Sequence, residues 1–269
     1  MYQEICTETC GIARAAGQFI RQEAARFSAD RVEVKGLHNF VSYVDKASET
    51  QIVSALRKLL PEAGFITEEG TDQHRGDRFN WVIDPLDGTT NFIHGLAPYS
   101  VSIALMERDA VVVGVVYEPT LDECFYTWCD APGAYLNGQP VQVSACRRVD
   151  DALVATGFPY TDFLCMHQYL PCLQYFMEHS HGVRRLGSAA IDLAYTACGR
   201  FDAFYEYGLH PWDVAAGVLL VEKAGGIVSD FSGGRNFIFG GEMAASNRNL
   251  SEEFCGVMRK YFVKKFSDK

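Results

Sequence analysis

The chain has 269 residues, 48% of them hydrophobic, with 34 acidic against 24 basic side chains and a net charge of −10. That length buries a substantial core in one large or two closely packed domains, and scattered Gly and Pro exclude a collagen-like or low-complexity chain. The negative charge excludes a general affinity for nucleic acid, whose phosphate backbone demands a basic surface.

Ile5, Ile12, Ala16, Phe19, Ile20 and Phe27 recur at helical spacing and predict a long first helix. Val44, Ala47, Ile52, Ala55, Leu56, Leu59 and Leu60 predict a second, stopped by Pro61 and Gly64. Short extended pieces are expected at Phe65–Thr67 and Phe79–Ile83. From Tyr99 to Val143 the pattern turns β-rich. Val101–Leu105, Val111–Tyr117 and Glu123–Trp128, separated by Arg-Asp, Pro-Thr and Asn-Gly punctuation, read as an antiparallel meander. After about residue 145 the elements alternate. A strand is expected at Leu153–Thr156, helices at Cys165–His179 and Ala189–Cys198, and a strand at Ala203–Glu206. A helix over Val214–Ala224 is closed by Gly225-Gly226, and a last one covers roughly Glu252–Lys265. This is an α/β (α+β) pattern in two halves, 1–145 and 146–269, with layered packing and no internal repeat.

The nine cysteines contain no Cys-x-x-Cys pair, and the closest, Cys6/Cys10 and Cys124/Cys129, have no matching His cluster. Structural zinc is therefore not expected, and reduced thiols are. The first residues lack a basic stretch followed by an apolar one, and no apolar run reaches a membrane span. A cytoplasmic setting without membrane contact is the expectation.

The segment Trp81-Val-Ile-Asp84-Pro85-Leu86-Asp87-Gly88-Thr89-Thr90-Asn91-Phe92 carries the most chemistry. An apolar strand is expected to end at Asp84, with Pro85 keeping that residue extended. Asp84 and Asp87 then stand three residues apart on a tight turn. Gly88 lets backbone approach a ligand, and Gly88–Asn91 has the makings of a helix N-terminus with amides free for an anion. Two carboxylates beside a phosphate-sized cradle suit Mg²⁺, which prefers hard oxygen ligands. The competing reading is that both are turn and cap residues. Glu68-Glu69-Gly70 follows a short strand; it is either a solvated loop or a pair with one acid turned inward. Asp213, in His210-Pro-Trp-Asp-Val-Ala-Ala-Gly217, falls near a helix start, where an acid also serves as a cap. His210 reads as a packed histidine and not as a metal ligand.

Glu68-Glu69, Asp84-Pro-Leu-Asp-Gly-Thr-Thr-Asn-Phe92 and Trp212-Asp-Val-Ala-Ala-Gly217 resemble the signature motifs of the inositol monophosphatase family. Gly187-Ser-Ala-Ala190, Tyr205-Glu206 and Glu222-Lys-Ala-Gly-Gly226 resemble its weaker motifs, in the same order. The resemblance implies a layered αβαβα sandwich of the inositol monophosphatase and fructose-1,6-bisphosphatase type, a homodimer, and two to three Mg²⁺ ions per subunit. Glu68, Asp84 and the backbone carbonyl of Leu86 would hold the first ion. Asp84, Asp87 and Asp213 would hold the second, and Glu68 would help hold a weaker third. Glu68, Thr89 and Asp87 form the implied catalytic set, with Thr89 and Glu68 orienting the attacking water. The phosphate would lie on the Gly88 and Thr89 amides, with Asp213 near the leaving oxygen. Gly187, Ser188, Ala189 and Glu206 fall where the family contacts the alcohol. Asp45 matches an acid behind the ligands, and Lys35 a mobile-loop lysine. The stretch from Lys35 to Asp45 departs from the family's usual wording, with Asn39 and Ser42 where Asp and Thr are frequent.

The implied activity is lithium-sensitive, Mg²⁺-dependent hydrolysis of a small phosphate monoester, inositol monophosphate first. Histidinol phosphate, 3′-phosphoadenosine 5′-phosphate and fructose 1,6-bisphosphate are the alternatives. A bisphosphate calls for a second basic cluster, for which Arg184 and Arg185 are the visible residues. The short gap from Glu68 to Asp84 favours a small monophosphate. A regulatory protein that binds transcription machinery is the alternative of another class.

Overall fold

Alternation along the strands sorts the apolar residues into separate cores. In the computed structural model, which describes residues 1–26, 32–36, 39–160 and 163–262 (32–36 and 39–42 by backbone alone), two large sheets face in this way. The chain begins with α1 (Tyr2–Ala24), the hairpin β1 (Val32–Gly36) and β2 (Asn39–Ser42), and α2 (Tyr43–Leu59). Next come β3 (Gly64–Thr67), β4 (Phe79–Asp87), the short α3 (Thr89–Ile93), β5 (Ser100–Glu107), β6 (Ala110–Glu118), β7 (Glu123–Trp128), β8 (Ala134–Leu136) and β9 (Gln139–Val141). The remainder is β10 (Leu153–Thr156), α4 (Met166–His179), β11 (Gly182–Arg184), α5 (Ala189–Ala197), β12 (Ala203–Tyr207), α6 (Pro211–Lys223), β13 (Gly226–Ser229), β14 (Glu242–Asn247) and α7 (Ser251–Phe262).

The seven-stranded sheet runs β3 to β9 in chain order, antiparallel except for the β3–β4 pair. The five-stranded sheet has the order β11-β10-β12-β14-β13. In the first sheet Trp81, Ile83, Val101, Ile103, Val113 and Val115 face α1 and α2, where they pack on Ile5, Ala16, Ile20, Ile52 and Leu56. The alternate residues Val82, Ala104, Met106 and Val116 point the other way, onto Leu193, Ala194, Val214 and Val218 of α5 and α6. The same period of two divides the second sheet. Ala155, Phe204 and Ala245 join that central core, while Val154, Tyr205 and Ala244 meet Phe176 of α4 and Phe254 and Met258 of α7. Three cores between five layers make the αβαβα sandwich expected from the resemblance. Gly114 lets the middle layer approach closely: a Cβ there would stand 2.7 Å from the carbonyl oxygen of Ala216.

Several expectations are corrected. Strand β4 does not end at Asp84 but continues through Asp87, and its register against β5 slips between those residues. The two aspartates therefore sit on a β-bulge, which spends one extra residue to redirect side chains. Helix α1 ends at Ala24, and Phe27 lies outside the described residues. Helix α7 ends at Phe262, with residues 263–265 likewise outside them. Strands β11, β13 and β14 and the β1–β2 hairpin were not foreseen. All nine cysteines are free thiols. Among the described residues no helix is long and apolar enough to cross a membrane.

Candidate metal and phosphate site

Helix α2 organises one side of the site through Asp45 and, one turn on, Ser48 and Glu49. Asp45, in its first turn, accepts the Thr89 hydroxyl at Oδ1 (2.9 Å), and that hydroxyl also approaches the Leu86 carbonyl at 3.0 Å. Ser48 donates to the Pro85 carbonyl at 3.1 Å. Glu49 is fully buried and accepts the backbone N–H groups of Glu69 (2.8 Å) and Thr71 (2.7 Å). The bulge of β4 and the Glu68 segment are thus both tied to one helix. Bonds of this kind, charged acceptor to buried amide, are stronger than neutral ones.

The other side comes from the middle layer. Asp87 Oδ2 accepts the Ser188 hydroxyl at 2.6 Å and the Ala190 N–H at 2.8 Å, at the start of α5. Asp213 Oδ2 accepts the His210 N–H at 2.7 Å across the first turn of α6. Asp84 Oδ1 accepts the N–H of Leu86 at 2.9 Å. Asn91 of α3 donates to both Pro98 and Leu186 carbonyls at 2.7 Å, fixing the loop before Gly187. Gly88 caps α3 with φ 96°, and a Cβ there would press on the backbone of Gly187, Pro98 and Tyr99 at 3.3 Å.

These elements enclose a cavity of about 190 Å³. Glu68, Asp84, Leu86, Asp87, Gly88, Thr89, Gly187, Ser188, Ala189, Glu206 and Asp213 all line it, so the expected metal and substrate residues are brought together. Asp45 stands behind Thr89, and the side chain of Lys35 lies outside the described residues. Of the two neighbouring acids it is Glu68 that faces the cavity. For Asp213 the cap and the cavity wall are not alternatives: the carboxylate does both. The Ser188 hydroxyl is turned to Asp87 and donates to its carboxylate. His210 stacks on Trp212 at 4.9 Å but is exposed and lines the cavity, so it is not the packed histidine expected.

Crowding of acids shows in their proton affinities. Burial, then the charges of Asp213 and Glu69, push Glu68 well above the usual carboxylate range. Burial, then Glu68 and Asp87, do the same for Asp84. Burial followed by the Asp87 charge raises Asp213 to about 8. Asp87 is raised by burial but restrained by Ser188 and the α5 amides, to about 6. A cation relieves such a cluster in the way that protons do. The donor set fits Mg²⁺: hard carboxylate oxygens, a backbone carbonyl, and a buried Glu68 Oε2 that has no hydrogen-bond partner. Among the described residues no three or more His, Cys, Asp and Glu side chains form a ready-made cage. Mg²⁺ does not need one, because it keeps several waters and takes few protein ligands.

Glu49 was missed by sequence reasoning, because the helical pattern of α2 gives no sign that a polar position faces two amides 20 or more residues away. Phe158 and Tyr160, on the cavity wall, and Asp192, buried beneath it, were also missed. Of the two arginines singled out, Arg185 lines the cavity and Arg184 is exposed.

Fold and site together define a layered α/β protein with an acidic cavity shared between its layers. The chain belongs to the inositol monophosphatase family, which it matches over residues 1–261. It is 44% identical over 252 residues to the Nus factor SuhB of Escherichia coli strain K12, covering 92% of each chain. It is 38% identical to an inositol-1-monophosphatase of Mesorhizobium japonicum, covering 92% of this chain and 93% of that one. The crystal structure of the extragenic suppressor protein suhB from Bartonella henselae superimposes with a TM-score of 0.90 at 36% identity, covering 96% and 99% of the two chains.

Proposed function

We propose that the protein is a Mg²⁺-dependent phosphomonoesterase acting on a small phosphate monoester, with inositol monophosphate the first substrate to test. The observation that carries this reading is the convergence of Glu68, the β4 pair Asp84 and Asp87, and Asp213, from three chain segments, on one cavity with Thr89. Glu68, Asp84 and the Leu86 carbonyl would hold one ion, and Asp84, Asp87 and Asp213 a second. When bound, such ions supply positive charge against the phosphate and lower the pKa of water.

The protein's own groups supply direction. The Thr89 hydroxyl proton is committed to Asp45 and Leu86, so its remaining lone pair can accept a hydrogen bond from a water in the cavity. Glu68 Oε2, buried without a partner, is a second acceptor for that water. Two acceptors fix which lone pair of the water points toward phosphorus. Amides of Gly88 and Thr89 line the same wall and suit the phosphate oxygens. Asp213 holds a proton more firmly than an ordinary aspartate in the metal-free cluster, and a bound cation would displace that proton and leave it a ligand.

Phosphate release from inositol 1-phosphate, histidinol phosphate and fructose 1,6-bisphosphate, with and without Mg²⁺, tests the proposal. Mg²⁺-dependent turnover lost in Asp84→Asn supports it; no turnover of any ester by folded, Mg²⁺-loaded protein refutes it.

A second reading, binding to transcription machinery, is favoured by the relatives named Nus factors. If both roles hold, Asp84→Asn abolishes hydrolysis and leaves pull-down of RNA polymerase intact.

A further inference from the structure

Among the described residues, Arg185 is the only Lys or Arg that lines the cavity, and it faces a wall carrying five carboxylates: Glu68, Asp84, Asp87, Glu206 and Asp213. Despite that surplus of acid, none of the described carboxylates makes an ion pair with it. Glu206 and Asp192 attract it without contact. The guanidinium is held by aromatic rings instead. Its Cζ lies 5.5 Å from the centroid of Phe158 and 5.3 Å from that of Tyr160, and its Nη2 donates to the Tyr160 hydroxyl. Both rings are themselves partly exposed, at 44% and 41%.

Two of its nitrogens are left for other work. Nε is buried and has no hydrogen-bond partner. Nη1 lies over Gly187, where an added Cβ would come within 2.3 Å of it. Gly187, at φ 89°, thus provides both the turn and the room for the fork. Leaving a buried guanidinium N–H unpaired is costly, and a planar fork with parallel donors matches a carboxylate or a phosphate. The two rings beside Cζ and the bond to Tyr160 restrict how the fork can turn.

We propose that Arg185 is a specificity-determining residue that receives, through the edge of its guanidinium formed by the second Nη2 hydrogen with Nε or Nη1, a second anionic group on the alcohol half of the substrate. This rests on the phosphatase reading above and narrows it. Esters whose leaving alcohol carries a carboxylate or another phosphate are selected over neutral polyol phosphates. Tyr160 positions the fork, and Phe158 shields it.

Matched substrate pairs test this on the full-length protein with Mg²⁺. Inositol 1-phosphate is compared with inositol 1,4-bisphosphate, and glycerol 2-phosphate with 2-phosphoglycerate, so that phosphate and carboxylate are read separately. The quantity followed is the ratio of kcat/KM, anion-bearing over neutral, within each pair. Arg185→Gln should lower that ratio at least tenfold in one pair or both, with Arg185→Lys intermediate and Tyr160→Phe down about threefold, since the bidentate fork is worth more than its charge alone. A ratio unchanged within about twofold in both pairs overturns the proposal. Should Arg185→Gln not fold, Arg185→Lys and Tyr160→Phe decide by the same ratio. If no ester is turned over, the phosphatase reading fails separately. The affinities of the same pairs, measured calorimetrically with Ca²⁺ in place of Mg²⁺, then decide. Selective weakening of the anion-bearing member in the variant supports the role of Arg185, and equal binding removes it.

Discussion

The hydroxyl of Thr89 donates to Oδ1 of Asp45 at 2.9 Å, joining the turn after β4 to the first turn of α2. This bond points the Thr89 lone pair into the cavity, so deleting the hydroxyl should cost more than altering the acid. Thr89→Val is expected to lower kcat by about 10²–10³-fold, in the range usual for a positioned proton acceptor. Thr89→Ser should stay within about tenfold, and Asp45→Asn, whose side-chain oxygen still accepts, should fall between the two. Steady-state rates at saturating Mg²⁺ and ester check this. A Thr89→Val enzyme with near-normal kcat would show that the hydroxyl positions nothing.

Glu49 holds the Glu68 segment through two backbone amides. Each buried donor left without a partner costs about 1–3 kcal/mol, so Glu49→Ala should lower the unfolding free energy by about 3 kcal/mol. Glu49→Gln keeps one acceptor and should lose about half as much. Urea midpoints measure the first effect, and kcat the loosening of Glu68. A stable, fully active Glu49→Ala protein would contradict it.

Stripping the metal should make stability depend on pH in a definite direction. Asp87 is raised to about 6 and Asp213 to about 8, in each case chiefly by burial. The unfolded chain releases these protons near an ordinary aspartate pKa of about 3.9, so between that value and the raised ones the folded state holds more protons. Their stabilisation is present at the acid end and is lost as pH rises through the raised values. In EDTA the Tm should therefore fall between about pH 5.5 and about pH 8.5, and Mg²⁺ should restore most at the higher pH. Thermal melts in a pH series read this directly. A metal-free Tm that climbs across the same window would rule it out.

Two glycines should respond oppositely to alanine. At Gly114 the new methyl would meet the Ala216 backbone at 2.7 Å, and backbone cannot rotate aside. Gly114→Ala should cost about 1–3 kcal/mol by overpacking and lower kcat, because α6 carries Asp213. At Gly11, on the exposed face of α1 with nothing within 4 Å, alanine should stabilise by about 0.5–1 kcal/mol. Denaturation curves of the two variants settle both signs.

The parts of this molecule legible in its sequence were those where one local pattern decides the outcome. The meander from β5 to β9 could be read because β-branched runs alternate with turn pairs such as Asn137-Gly138. The Asp84–Phe92 string was legible as a family motif, while its residue types alone left turn and cap roles open. By contrast β14, Glu-Met-Ala-Ala-Ser-Asn, has no β-branched residue. It is a strand because cores on both sides bury its small side chains, a tertiary effect invisible to propensity. The bulge at Asp84–Asp87 depends on where β5 pairs, and Arg185 became distinguishable from Arg184 only when the aromatic wall was in place. Glu49 shows the same limit: its partners are amides that only folding brings near.

The central core also bears on how the chain would respond to cutting. Residues before 142 and after 152 interleave there, and Val143 is tied to Ala224 by its backbone N–H. A protease that nicked the connector between β9 and β10 would therefore release no free halves. The two fragments should travel together through gel filtration and part only in denaturant, as one body whose continuity lies in its packing and not in its peptide bond.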